Sequence, residues 1–289
     1  MKLCLLCGQK FDTKGWECPS CSYVPKMEAG HYVFAPEMET HDDGFDPDYF
    51  NKLAVVEDKN WWFRSKKKLI IWALHHYFPQ SKNFLEVGCG TGFILSGIQE
   101  AFPDLSLSGG ELFMEGLACA AHRLPHASLF QMDSRRIPFE EEFDVVGAFD
   151  MLEHIQDDQT VLFEIFKAIK RGGGVLLTVP QHPFLWSEWD QWAFHKRRYT
   201  SRGIIRKVEK AGFRLVGCTS FVSILFPLML LDRLGRHSKQ EGFDVFKRFK
   251  VRSSLNRTLS KIMSVEIFMI RIGISLPVGG SLLLAGRKI

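Results

Sequence analysis

The 289-residue chain has no apolar run of the ~20 residues that a membrane-spanning helix requires. Its longest, Phe221 to Leu231, is interrupted by Pro227. The N-terminus, MKLCLLCGQK, holds too short an apolar stretch for a signal-peptide core of roughly 7 to 15 residues, so the chain reads as cytoplasmic. A strong excess of one charge is also missing: 37 Lys and Arg stand against 33 Asp and Glu, a formal net charge of +4. That is below the footprint of a protein whose affinity rests on neutralising phosphates. Cysteine is too scarce for a disulfide framework. Four of the seven sit in two CxxC pairs, which suits metal binding in a reducing compartment, and Cys89, Cys119 and Cys218 remain as thiols. What is left is an ordinary globular composition, 46% hydrophobic and 24% charged. The length suits one α/β core plus one small appendage.

A further absence lies in NFLEVGCGTGFILSGI, residues Asn83 to Ile98. Phe84 to Val87 read as a short buried strand and Phe93 to Ala101 as the start of a helix, so Gly88, Gly90 and Gly92 form the strand-to-helix turn. Glycine lets backbone approach a ligand closely, and the following helix offers free N–H groups to an anion. The dinucleotide fingerprint GxGxxG needs a third glycine where this chain has Phe93, which argues against NAD.

The segment EVGCGTG resembles the first motif of the class I S-adenosylmethionine-dependent methyltransferases, an acid followed by GxGxG after strand one. Later elements arrive in that family's order. LSLSGGEL reads as strand two ending in Glu111, SLFQMD as strand three ending in Asp133, FDVVGAFDMLEHI as strand four and RGGGVLLTVP as strand five. A helix and strand six follow around YTSRGIIRKVEKAGFRLVGC, and GGSLLLAGRK at the C-terminus reads as strand seven. The resemblance implies an α/β, Rossmann-like seven-stranded sheet with helices on both faces, and S-adenosylmethionine as cofactor. It implies that Glu86, Gly88, Gly90 and Gly92 form the first motif, that Glu111 with Leu112 meets the ribose, and that Asp133 with Ser134 meets the adenine amino group. Phe149 and Asp150 stand at the fourth motif. Strands alternating with helices place such strand ends at one crevice, whichever ligand occupies it. WWFR, at Trp61 to Arg64, is similar to the segment before the first motif in bacterial methyltransferases of polysaccharide, lipid and small-metabolite pathways. These rings are core or a lid on the cofactor.

At the front, Cys4, Cys7, Cys18 and Cys21 are spaced as two CxxC pairs. Four thiolates close a tetrahedral site, so residues 1–25 read as a ribbon held by structural zinc, with a rubredoxin-like iron site as the alternative. Certain ribosomal-RNA guanine methyltransferases join a zinc element to this fold, which keeps RNA as a substrate alternative. Residues 26–48 include acidic, Pro- and Gly-containing sequence and read as a linker; 49–289 read as the methyltransferase domain.

An activated methyl group needs mainly an aligned nucleophile, with a general base for a hydroxyl or protonated nitrogen. His154 in LEHI, then His195 and Tyr199 in WAFHKRRYT, are the candidates. The run FLWSEWDQWAF could line an apolar acceptor pocket. The acceptor expected is a small or lipid-linked metabolite, with a cofactor-binding regulatory protein as a further alternative. Residues 222–278 are an insertion between strands six and seven. From Arg233 to Lys261 it carries nine Lys and Arg against Glu241 and Asp244, fitting either a solvated helical pair or a lid and peripheral contact with anionic lipid.

Overall fold

The computed structural model describes residues 1–38, 48–234, 249 and 251–289. Two short strands, β1 (Lys2–Leu3) and β2 (Lys10–Phe11), form the ribbon hairpin. The ribbon is followed by β3 (Lys26–Glu28) and β4 (His31–Val33). Two helices, α1 (Asp48–Glu57) and α2 (Trp61–Tyr77), lead into the core. The core then runs β5 (Asn83–Val87), α3 (Phe93–Ala101), β6 (Ser106–Glu111), α4 (Met114–Arg123), β7 (Ser128–Gln131), β8 (Phe143–Phe149), α5 (Asp158–Ala168) and β9 (Ile169–Pro180). It closes with α6 (Glu188–Trp192), α7 (Ser201–Lys210), β10 (Arg214–Phe221), α8 (Phe226–Leu234), α9 (Ser253–Arg271) and β11 (Ser281–Arg287).

The main sheet has the order β10-β11-β9-β8-β5-β6-β7-β4-β3. Neighbours from β9 to β4 are parallel, while β11 runs antiparallel to both β9 and β10. The seven expected strands are therefore present, and two more extend the edge beyond β7. Part of the expected linker supplies them. His31 to Val33 pair in parallel with β7, because the alternating HYV segment turns Val33 inward and meets the unpaired edge of β7. Residues 39–47 of that linker lie outside the described residues.

Central strands are buried on both faces, as the apolar runs of β5 and β8 require once helices cover both sides. One core layer joins α5 and α7 to the ribbon's Phe11 and Trp16; the other joins α2, α3, α4 and α9. Residues 48–77 form two helices rather than one, and Asn60 starts the second: its side chain caps α2 by accepting from the Trp62 N–H at 2.8 Å.

The insertion is anchored by Glu266. This fully buried carboxylate on α9 accepts the N–H groups of Ser223, at 3.0 and 2.9 Å, and of Ile224, at 2.8 Å, just before α8. Glu266→Ala would strand those buried donors and should lower stability by about 3 kcal/mol, read as a fall in the urea midpoint. Most of the basic cluster expected between 233 and 261 lies outside the described residues.

Candidate functional site

The glycine turn is a cradle in which side chains would not fit. Gly88, Gly90 and Gly92 all have positive φ, of 71°, 50° and 73°. A Cβ on Gly88 would lie 2.5 Å from Met151 Cγ, and one on Gly92 3.0 Å from the backbone of α4. The amides of Gly88 and Cys89 donate to Gly110 O, pinning the turn to β6. Its free edge faces a cavity of about 1540 Å³.

Acids expected at the strand ends converge there. Glu111 is buried and accepts the Gly90 amide at 2.8 Å on one oxygen, and the Leu112 amide at 2.8 Å and the Phe113 amide at 3.3 Å on the other. Burial pushes its pKa up against those donors. The oxygen that accepts from Gly90 keeps a lone pair for a ligand hydroxyl. Glu86 is more deeply buried, one of its oxygens has no partner, and burial holds its carboxyl well above the usual range. Asp133 lies two residues past β7, not at its end, and is gripped by the Arg135 guanidinium at 2.8 to 3.0 Å. Leu112, Ser134 and Phe149 line the cavity beside these acids.

Asp150 adopts the left-handed conformation, φ 52°, which aims its carboxylate inward. It accepts from Lys66 Nζ at 2.8 Å and Thr178 Oγ1 at 2.9 Å. Burial raises its pKa, but Lys66 and Thr178 outweigh that and hold it below the ordinary value. Lys66 went unrecognised in the sequence. It is a buried cation 4.3 Å from the Trp62 ring and lines the cavity with Glu86 and Asp150. The signal was its position four residues after Trp62, one helical turn along the aromatic face.

Helix α1 lies over the cradle. Thr91 donates to Glu57 at 2.6 Å, and Glu57 pairs with Arg123 at 2.5 Å. Tyr49, Phe50 and Leu53 of α1 line the cavity, as do Trp61, Trp62 and Phe63 of α2, so the aromatic segment before the first motif is cavity wall.

The same cavity is lined by the acceptor-side candidates His154 and His195. His195 Nδ1 lies 2.9 Å from a carboxylate oxygen of Asp190, itself fully buried and bonded to Arg198 Nε at 2.7 Å. Burial raises the Asp190 pKa, yet the His195 and Arg198 bonds bring it down to about 2. An ionised carboxylate can only accept, so Nδ1 carries the proton and Nε2 keeps its lone pair. Nε2 lies 3.9 Å from Glu153 Oε1, and the His154 ring stands edge-on at 4.8 Å. Glu153 is buried with one unpartnered oxygen, and burial pushes its carboxyl well up. Burial, then His195, bring His154 down to about 3. Glu153, His154 and His195 offer ligand atoms within 4.8 Å of one another, an O/N set able to hold a divalent cation.

Tyr199 is the correction among the expected catalytic residues. Its buried hydroxyl donates to Asp158 at 2.7 Å, and it does not line the cavity. Asp158 also binds Lys207 and Arg197, so Tyr199 belongs to a polar joint between α5 and α7. Of the aromatic run, Trp189, Trp192 and Phe194 line the cavity, whereas Phe184 and Trp186 project outside it.

In the ribbon, the sulfurs of Cys4, Cys7, Cys18 and Cys21 all lie within 4.8 Å of one another, with Cys4 to Cys21 at 3.7 Å and Cys7 to Cys18 at 3.6 Å. Four sulfurs about 2.3 Å from one metal ion stand about 3.8 Å apart, so this set is spaced for a closed tetrahedral centre.

A family model described as a methyltransferase domain matches residues 63–217. A ubiquinone biosynthesis O-methyltransferase of Hydrogenovibrio crunogenus is 29% identical over 147 residues, covering 45% of this chain and 57% of that protein. One from Pseudomonas putida is 32% identical over 111 residues, covering 35% and 46%. The chain thus spans about half the length of the curated relatives it matches. Among solved structures, the [4+2]-cyclase SpnF superposes with a TM-score of 0.53 at 18% identity, covering 78% of this chain and 83% of that one. Phosphoethanolamine N-methyltransferase 2 of Haemonchus contortus, in complex with S-adenosyl-L-methionine, gives 0.51 at 20%, covering 76% and 52%. At these identities the likeness is one of fold.

Proposed function

This chain belongs to the methyltransferase-domain family, and from that membership we propose that it transfers the methyl group of S-adenosylmethionine to an oxygen of a small or lipid-linked metabolite. One observation carries the substrate reading: a single cavity holds the cradle and its acids and is also walled by Trp189, Trp192, Leu225, Leu228, Met229 and Leu259. An apolar acceptor fits such walls. The O-methyltransferase relatives favour oxygen over nitrogen.

The residues present fit the cofactor. The side-chain-free cradle admits close backbone approach, one Glu111 oxygen keeps a lone pair for a ribose hydroxyl, and Asp133 with Ser134, which line the same cavity, would meet the adenine edge. Lys66 would meet a carboxylate, since it is a buried cation lining the cavity. When bound, the cofactor supplies a methyl group already activated on sulfur. The chain's task is then to hold the acceptor in line and exclude water, which can supply ~7 to 11 kcal/mol of the barrier. His195, oriented by Asp190, would take the acceptor proton at Nε2, adding roughly 10² to 10⁴ in rate. His154, held as a weak base by burial, would shape the loop instead.

For the ribbon we propose structural zinc, because four cysteine sulfurs leave no coordination position open for catalysis. The function is tested by methyl transfer from radiolabelled S-adenosylmethionine into fractionated cell extract. Label in the organic phase or small-molecule fraction is the expected result. Nuclease-sensitive label would make RNA the substrate, and binding of S-adenosylhomocysteine with no label anywhere would point to a regulatory protein.

A further inference from the structure

Helix α9 has two faces of opposite character. Met263, Ile267 and Ile270 are buried in the core layer shared with α2. On the far side, Arg257, Lys261, Val265, Phe268 and Ile272 follow one another at three- and four-residue spacing, and all are exposed. That spacing makes them one stripe, basic at its N-terminal end and apolar at its C-terminal end. Val265, Phe268 and Ile272 are 55%, 61% and 60% exposed, unusual for large apolar side chains grouped on one face. Within residues 251–289 the only carboxylate side chain is Glu266, which is buried. Helix α8, tied to α9 through Glu266, adds exposed Leu228 and Leu231. Leu228 also lines the cavity, so the exposed side of α8 reaches the cavity rim.

We infer that the α8–α9 face is a membrane-contact surface whose partner is a bilayer containing anionic phospholipid. Phe268, Val265 and Ile272 enter the boundary between headgroups and acyl chains, while Arg257, Lys261 and Arg271 meet lipid phosphates. Charge chooses between occupants. A second copy of this chain, packed on the same face by a two-fold axis, would set the cations of each stripe against those of the other if the helices ran parallel or against its apolar end if antiparallel, and in neither case gives them an anionic partner. An anionic surface instead satisfies both ends of the stripe. The entry of a lipid-linked acceptor past Leu228 rests on the function proposed above; the surface itself does not.

The test is co-sedimentation of the full chain, without cofactor, with phosphatidylcholine vesicles with and without phosphatidylglycerol. Wild-type protein should pellet with the anionic vesicles and be released by salt. Paired Val265→Asp and Phe268→Asp changes should abolish pelleting. Paired Arg257→Glu and Lys261→Glu changes should lower partitioning at least ~25-fold, roughly fivefold for each cation lost. Retained S-adenosylhomocysteine binding would show that the variants fold. Equal binding to both vesicle types, or none by wild-type protein, would overturn the inference. So would a wild-type dimer in analytical ultracentrifugation that Phe268→Asp disperses. Methyl transfer into detergent-solubilised extract is read in parallel: its failure with vesicle binding intact removes the function and leaves the surface, and the converse removes the surface alone.

Discussion

Stripping metal from the ribbon should unfold residues 1–25 and weaken cofactor binding at Asp133, on the other side of β7. The ribbon is too small to hold a core of its own, so the metal proposed for it would supply its folding energy, about 10 to 16 kcal/mol for structural zinc in comparable peptides. Part of that order reaches the cofactor end through named contacts. Leu3 N–H donates to Pro138 O, and Arg136 Nη2 donates at 3.0 Å to Leu5 O, inside the first CxxC pair. Trp16 packs edge-on against Phe34, Phe130 and Phe139, with ring centroids 4.6 to 5.9 Å apart. Phe130 lies three residues before Asp133 and Arg136 three residues after it. Chelation, or Cys18→Ser, should therefore lower the melting temperature and raise the Kd for S-adenosylhomocysteine by about tenfold, the loss of one charged hydrogen bond. Calorimetry on native, stripped and zinc-reloaded protein checks it. An unchanged Kd after complete stripping would show the ribbon to be mechanically separate.

His195→Ala should reduce kcat by ~10² to 10⁴ on a hydroxyl acceptor while leaving cofactor affinity within about twofold. Among the described residues its bonded partner is Asp190, on α6. Asp190→Asn should reproduce much of the loss, because an amide no longer fixes the proton on Nδ1, and should also destabilise the loop by unpairing Arg198. A purely structural role would show in the melting temperature of His195→Ala with kcat unaffected. His154→Ala should cost far less, since a base whose pKa is about 3 takes few protons near neutrality.

Much of the fold was legible because buried parallel strands write themselves as short apolar runs. Helix α3 begins at the expected Phe93, and β6 and β8 lie where their runs placed them. Edge pairing was not legible. Lys26 to Val33 has no run of apolar residues, and it becomes strand only because β7 offers an unpaired edge. Tyr199 misled for a related reason: a tyrosine in a loop rich in Arg, Lys and His reads like a site residue. Only the packing of α5 against α7 shows that Asp158 takes its hydroxyl.

The sequence by itself determined the cofactor cradle and the four-cysteine centre. In both, the chemistry depends on residues a few positions apart, so spacing along the chain is spacing in space. Tertiary structure alone decided that Lys66 faces Asp150 across 84 residues, that Asp190 orients His195, and that α9 turns one face to the core and a basic, apolar stripe outward. Those depend on which helix packs on which face of the sheet. That choice is made by burying the largest apolar surface of the whole molecule, which no local stretch of sequence contains.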